Sequence, residues 1–224
     1  ALKDVPEVWE IRYDSSQYPV RKIRLQQVLD DFFFDQDYRF LVGADRVQHS
    51  GQVVDLDHGK PVADLSLSGM PHLGSGITWV QEGRTVFATP NLKDNKVTVI
   101  DMDNWKVIKE IDTLGPGFFM RSHEKTPYAW TDVFFGPNRD AMHVIDKGSL
   151  EIVKTLRPEP GKTSAHVEFT RDGRYALVSL WEMDGALVVY DAATLAEVKR
   201  IPMRKPSGKY NVYNKINRSA GTSH

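Results

Sequence analysis

A short apolar strand ending in aspartate recurs four times in this chain: Val53-Val54-Asp55, Val99-Ile100-Asp101, Val144-Ile145-Asp146 and Val189-Tyr190-Asp191. The aspartates stand 46, 45 and 45 residues apart. A period of that length constrains architecture strongly, because each unit must be one supersecondary element that hides its apolar face against the next. Each Asp is followed by a polar turn and a second alternating strand, at 61–65, 106–111, 151–156 and 197–201.

Upstream of each Asp comes another apolar run, often led by a basic residue: Arg39-Phe40-Leu41-Val42, Arg84-Thr85-Val86-Phe87-Ala88 and Arg174-Tyr175-Ala176-Leu177-Val178, with Pro127-Tyr128-Ala129-Trp130 in the third repeat. Before those stand Phe32-Phe33-Phe34, Ile77-Thr78-Trp79, Phe118-Phe119-Met120 and Val167-Glu168-Phe169. Glu82-Gly83 and Asp172-Gly173 mark turns between them. Four short strands per repeat, with no stretch of helical periodicity, predict an all-β fold built as a β-propeller of about four complete four-stranded blades. The Asp closing each third strand is expected to bond the backbone of its own turn. Residues 30–201 hold the blades, 1–29 a linker and the remnant of a preceding blade around Val8-Trp9-Glu10-Ile11, and 202–224 a C-terminal tail expected to contribute to the binding site.

Twenty-nine basic and 30 acidic residues leave a net charge of -1, so no global field draws nucleic acid or an anionic membrane, and no nucleic acid is expected as a partner. The chain has no cysteine, which removes disulfides, thiolate metal sites and cysteine nucleophiles together. No hydrolase, phosphate-loop, zincin or dinucleotide motif is present.

In a propeller, the segments joining one blade to the next reach the central channel, so the unusual residues there are site candidates. His72 follows Pro71 and precedes Gly74 and Gly76, a context that suits an imidazole aimed into a cavity as a heme ligand or proton donor, and equally one that bonds a neighbouring loop. His166 opens the fourth blade and is open to the same two readings. The mixed basic and aromatic stretch from Lys199 to Tyr213 reads as solvated.

At His72-Leu73-Gly74-Ser75-Gly76, Phe118-Phe119-Met120-Arg121-Ser122-His123 and Ser207-Gly208-Lys209-Tyr210-Asn211-Val212-Tyr213-Asn214 the chain resembles the d1-heme propeller of the cytochrome cd1 nitrite reductase family. The resemblance implies an eight-bladed ring of which this is the C-terminal half, completed by the missing half or by a second copy. It implies heme d1, dihydro-heme d1 or a late precursor as cofactor. Carried over by position, His72 matches a distal histidine of the reductase and is a candidate iron ligand, while Asp30 stands where the second distal histidine would be. A carboxylate ionised at neutral pH donates protons poorly, which argues against nitrite reduction. Phe119 matches a ring packed on the macrocycle, Gly74 lies in the Pro-His-x-Gly-x-Gly turn, and Ser207 and Gly208 match contacts to heme carboxylates. Ser75 replaces a carboxylate-binding arginine, Arg121 is the nearest local substitute, and His166 replaces a glutamine near the heme.

Gly221-Thr222-Ser223-His224 is more similar to the NirF-type branch of the family. The function so implied is a late step of heme d1 biosynthesis in the periplasm, with His72, Asp30 and His166 as catalytic residues of an oxidoreductase or another tetrapyrrole-modifying activity. Other heme d1 biosynthesis proteins and cytochrome cd1 nitrite reductase are the implied partners. The alternatives are a non-catalytic carrier of the precursor and a dihydro-heme d1 dehydrogenase of the NirN type.

Overall fold

The computed structural model describes residues 1–209. Its contacts divide the chain into two compact units, Ala1–Gly74 and a second from Ser75 onward. In the first, β1 (Glu7–Ile11) pairs with β2 (Val20–Arg24), and β3 (Asp31–Phe34), β4 (Phe40–Asp45), β5 (Ser50–Asp55) and β6 (Lys60–Ser66) form a four-stranded sheet. The second unit holds three such sheets. They are β7 (Ile77–Gln81) to β10 (Lys106–Asp112) through β8 (Arg84–Pro90) and β9 (Lys96–Asp101), then β11 (Met120–Ser122), β12 (Tyr128–Asp132), β13 (Met142–Asp146) and β14 (Glu151–Leu156). The last comprises β15 (Ser164–Phe169), β16 (Tyr175–Leu180), β17 (Ala186–Asp191) and β18 (Glu197–Pro202). All neighbours are antiparallel and consecutive in sequence, as expected of propeller blades.

Two elements differ from the sequence expectation. β2 was not anticipated, because four of its five residues are exposed and only Ile23 is buried. The first strand of the third sheet begins at Met120 and leaves Phe118 and Phe119 in the preceding loop.

The repeated aspartate does what its position suggests. Asp55 Oδ1 accepts from the His58 N–H at 3.0 Å, Asp101 Oδ1 from Asp103 at 2.8 Å, Asp146 Oδ1 from Gly148 and Ser149 at 3.0 and 2.8 Å, and Asp191 Oδ1 from Ala193 and Thr194 at 3.0 and 2.9 Å. The fourth residue after each Asp is left-handed: Gly59 at φ 63°, and Trp105, Leu150 and Leu195 each at 58°. The N–H groups of those last three return to the aspartate carbonyls at 2.8, 2.9 and 2.9 Å. Each hairpin then slips register once, at Val53/Val54, Val107/Lys109, Val144/Ile145 and Val189/Tyr190, a bulge two pairs beyond the turn. Two of the basic residues that head the second strands close the turn from the other side, Arg39 to Asp55 at 3.1 Å and Arg84 to Asp101 at 3.7 Å.

In the second unit the core lies between successive sheets. Ala129 and Ile145 join Ile77, Val86, Val99 and Met120 on one face of the middle sheet, while Trp130 and Val144 join Val167, Phe169, Val178 and Val188 on the other. Strand alternation sends neighbouring residues to opposite faces, and here both faces are covered, so these strands read as continuous apolar runs. Polar staples accompany the apolar contact: Trp79 Nε1–H donates to Lys147 O at 3.0 Å, and Gln81 Nε2–H to Gly148 O at 2.9 Å. The first unit has its own cluster of Val8, Ile23, Leu29, Leu41 and Val54.

His143 on β13 is buried, accepts from the Leu114 N–H at Nε2 (3.1 Å) and donates from Nδ1 to Thr155 Oγ1 (2.8 Å). Burial, and secondarily the charge of Arg157, pushes its pKa down to about 4.

Asp101→Ala removes two turn hydrogen bonds, so the unfolding free energy in urea should fall by about 1–3 kcal/mol with the fold retained. The depressed pKa of His143 gives stability that is full above its unfolded pKa of about 6.5 and is lost as pH falls toward about 4. His143→Gln keeps an acceptor for Leu114 and a donor for Thr155 but binds no proton. Urea titrations of this variant should therefore lose about 3 kcal/mol less between neutral pH and about pH 4 than the parent does.

Candidate functional site

β15 opens with a bulge. Its register against β16 slips between Ala165 and Glu168, and His166 inside the slip has φ 53°. A left-handed residue other than glycine costs about 1–3 kcal/mol and persists only where its surroundings hold it. Three polar groups of His166 are held. Its N–H donates to Asp132 Oδ2 at 3.3 Å, its carbonyl accepts from the Lys209 ammonium, and its Nδ1 accepts from the Lys209 main-chain N–H at 3.1 Å. The bulge turns the imidazole edge-on to the Phe119 ring, with centroids 4.4 Å apart.

Asp132 ends β12 and has no exposure to solvent. Its Oδ1 accepts from the N–H groups of Phe118 and Phe119 at 2.7 and 3.0 Å, so the two phenylalanines expected in a strand hang instead as a loop from this carboxylate. The approach is close: a Cβ on Gly117 would lie 2.7 Å from the Asp132 carbonyl oxygen, which only glycine avoids. The loop presents a shelf of partly exposed rings, with Phe118 4.5 Å from Phe119 and 5.3 Å from Phe134, and Phe134 5.1 Å from Trp181.

Charge gathers around His166. Lys209 Nζ donates to Ser179 Oγ at 2.6 Å as well as to His166. Buried Arg121 lies 3.6 Å from buried Glu168 and donates to Met120 O at 3.0 Å. Burial dominates the ionisation of Asp132, Lys209 and His166. It lifts Asp132 to about 6 although three backbone N–H groups oppose the shift. It lowers Lys209 to about 7 against the pull of Glu168 and Asp132. His166 falls to about 4 through burial and then the cations Lys209 and Arg121, so its imidazole is neutral at physiological pH.

Of the residues expected from sequence, the structure brings Phe119 and His166 together, with Arg121 among the charges that lower the His166 pKa. Ser207 and Gly208 are exposed and lead directly into Lys209. Ser75 is buried, on the single 3-10 turn Leu73–Ser75. Asp30, His72 and Gly74 belong to the first unit. Asp30 accepts from the Arg46 N–H at 3.2 Å and pairs with its guanidinium at 3.1 Å, which holds the carboxyl below its usual pKa, and the Gly74 N–H reaches Asp31 Oδ2 at 3.4 Å. His72 is half-buried beside that turn. The matched residues Tyr210 to Asn214 and Gly221 to His224 lie outside the described residues.

Sequence reasoning missed Asp132, Glu168 and Ser179, and read Lys209 as solvated. For Lys209 the signal was its place inside the matched Ser-Gly-Lys-Tyr segment. The other three alternate with apolar residues in ordinary strands.

A shelf of mutually tilted aromatic rings with one imidazole against it, and Lys209 and Arg121 close to that imidazole, fits a large conjugated ring that carries carboxylates. Among the described residues no three His, Asp or Glu side chains converge as a metal cage, whereas a lone imidazole suits an axial position on an iron already held by a ring.

Comparison with known proteins agrees with that chemistry. Residues 1–215 match the cytochrome D1 heme domain. The chain is 59% identical over its whole length to the dihydro-heme d1 dehydrogenase of Pseudomonas aeruginosa, of which it spans 46%. It is 32% identical to protein NirF of the same organism over 68% of this chain and 37% of that one. The similarity to the dehydrogenase is thus the greater, contrary to the NirF-type expectation. The solved structure of dihydro-heme d1 dehydrogenase NirN in complex with DHE superposes with a TM-score of 0.92 over 97% of this chain and 47% of that one, at 59% identity. Kuenenia stuttgartiensis hydrazine synthase shares the fold at 20% identity and a TM-score of 0.63, over 79% of this chain and 49% of that one. The chain spans about half the length of the relatives it matches best. With the repeat, the blades and the match over nearly all its length, this β-propeller chain belongs to the cytochrome D1 heme domain family.

Proposed function

We propose that the shelf around Phe119 and His166 binds heme d1 or its dihydro precursor, and that the protein acts in heme d1 biosynthesis as a dihydro-heme d1 dehydrogenase. The observation that carries the binding is the imidazole of His166 with its centroid 4.4 Å from that of the half-buried Phe119 ring, close to Lys209 and Arg121. The choice of dehydrogenation over a NirF-type role rests on 59% identity along the whole chain against 32% along 68% of it.

Dehydrogenation would remove two electrons and two protons from the bound tetrapyrrole, which would supply the conjugated ring, with an external electron-transfer partner as the oxidant and water taking the protons. The residues of this chain bind and orient. Phe118, Phe119 and Phe134 give apolar contact to the ring face and exclude water from it. Lys209, tied by its side chain to Ser179 and the His166 carbonyl, anchors the Ser207-Gly208 segment that brings the chain to the carboxylate edge of the ring. Asp132 fixes the height of the shelf through its two bonds to the loop. Asp30, tied to Arg46, contributes a fixed negative charge in its own unit, while His72 keeps the proton-transfer role implied by the resemblance.

Anaerobic titration of the full chain with dihydro-heme d1, followed by absorbance, tests the binding. Phe119→Ala should weaken it roughly tenfold while leaving thermal unfolding close to the parent, and an unchanged Kd would remove the shelf from the site. Adding an electron acceptor to the complex should convert the spectrum to that of heme d1. Tight binding with no conversion would instead make the protein a carrier of the precursor.

A further inference from the structure

Among the described residues of the second unit, His123, His143 and His166 are each captured by a main-chain amide, and which ring nitrogen is captured decides what the other can do. An N–H donor can approach only a ring nitrogen that carries a lone pair, and the neutral ring then bears its proton on the opposite nitrogen. At His143 the captured atom is Nε2, leaving Nδ1–H to donate to Thr155. At His123 it is Nδ1, which accepts from Lys125 at 3.1 Å, and Nε2–H accordingly donates to the Arg171 carbonyl at 3.2 Å. His166 follows the His123 pattern: Nδ1 accepts from the Lys209 N–H at 3.1 Å. Both the imidazolium and the Nδ1–H tautomer would set two hydrogens against each other there.

This arrangement is the reverse of that usual for a metal-bound histidine, which donates its second ring N–H to a carbonyl or carboxylate and coordinates through the bare nitrogen. Lys209 also anchors itself. Its ammonium reaches the His166 carbonyl and, at 2.6 Å, Ser179 Oγ, a tie separate from that of the main-chain N–H.

We propose that Lys209 is a positioning residue that clasps His166 as the Nε2–H tautomer, so that His166 meets a ligand first as a hydrogen-bond donor and can take iron through Nε2 only after the Lys209 N–H lets go. The clasp stands on the geometry of this chain alone. Its consequence for iron rests on the proposed tetrapyrrole reading.

The test uses two variants of the full chain. Lys209→Ala keeps the main-chain N–H and loses the ammonium; Lys209→Pro loses both. Long-range nitrogen-15 NMR on histidine-labelled protein without tetrapyrrole reads the tautomer, with His166→Gln assigning the signal. The parent and Lys209→Ala should show a bare Nδ1 and a protonated Nε2, and Lys209→Pro should move population toward Nδ1–H. A parent protein with Nδ1–H overturns the proposal whether or not the variants fold, and so does a Lys209→Pro spectrum identical to that of Lys209→Ala. On mixing with ferric heme d1, the absorbance of imidazole-ligated iron should develop up to roughly tenfold faster in Lys209→Pro than in Lys209→Ala, the change expected from losing one hydrogen bond. Equal rates overturn the gating. Absence of any heme d1 signal in all three proteins overturns the tetrapyrrole reading instead and leaves the tautomer result standing.

Discussion

A carboxylate sealed from water carries the geometry of the site. Asp132 can stay buried only because backbone N–H groups surround it, and in supplying those donors Phe118, Phe119 and His166 give up their freedom. One side chain thereby sets the height of an aromatic shelf and the start of a bulge on the neighbouring sheet. The left-handed backbone of His166 follows from it, as does the edge-on approach of that imidazole to Phe119. Burial opposes the ionised form strongly enough to bring Asp132 near neutrality, so the stability of this arrangement and its charge state are tied together.

The blades were legible in the sequence because their determinants are local. An aspartate that bonds one or two N–H groups two or three residues on, a left-handed residue at a fixed offset and an apolar strand on each side can all be read within a dozen or so residues. β2 was not legible, because Arg21, Lys22 and Arg24 outweigh the one buried residue, Ile23, that seats it. Phe118 and Phe119 looked like strand for the opposite reason. Aromatic content favours strands, but the loop is decided by a carboxylate in another strand and by the lack of a Cβ at Gly117.

The site was legible only as far as family resemblance reached. It named His166, Phe119 and Arg121, which the structure brings into one neighbourhood, and pointed to the segment ending at Lys209. It could not reveal Asp132 or Glu168, whose importance lies in long-range backbone and charge contacts that leave no pattern in a single sequence. Lys209 was misjudged because a basic tail is normally solvated; here Ser179 and the His166 carbonyl replace water.

The placement of the second unit's cores between sheets separates what was copied from what folds. The repeated segment ends at its outer strand, yet its apolar side chains are completed by the next copy: Ile145 answers to Val86, and Trp130 to Phe169. A single copy excised at the repeat boundary would keep every turn it encodes and lose half of its interior on each side. Lineages that lengthen or shorten such a ring must therefore add or drop copies at matched seams, and the residues facing a seam have to change in pairs.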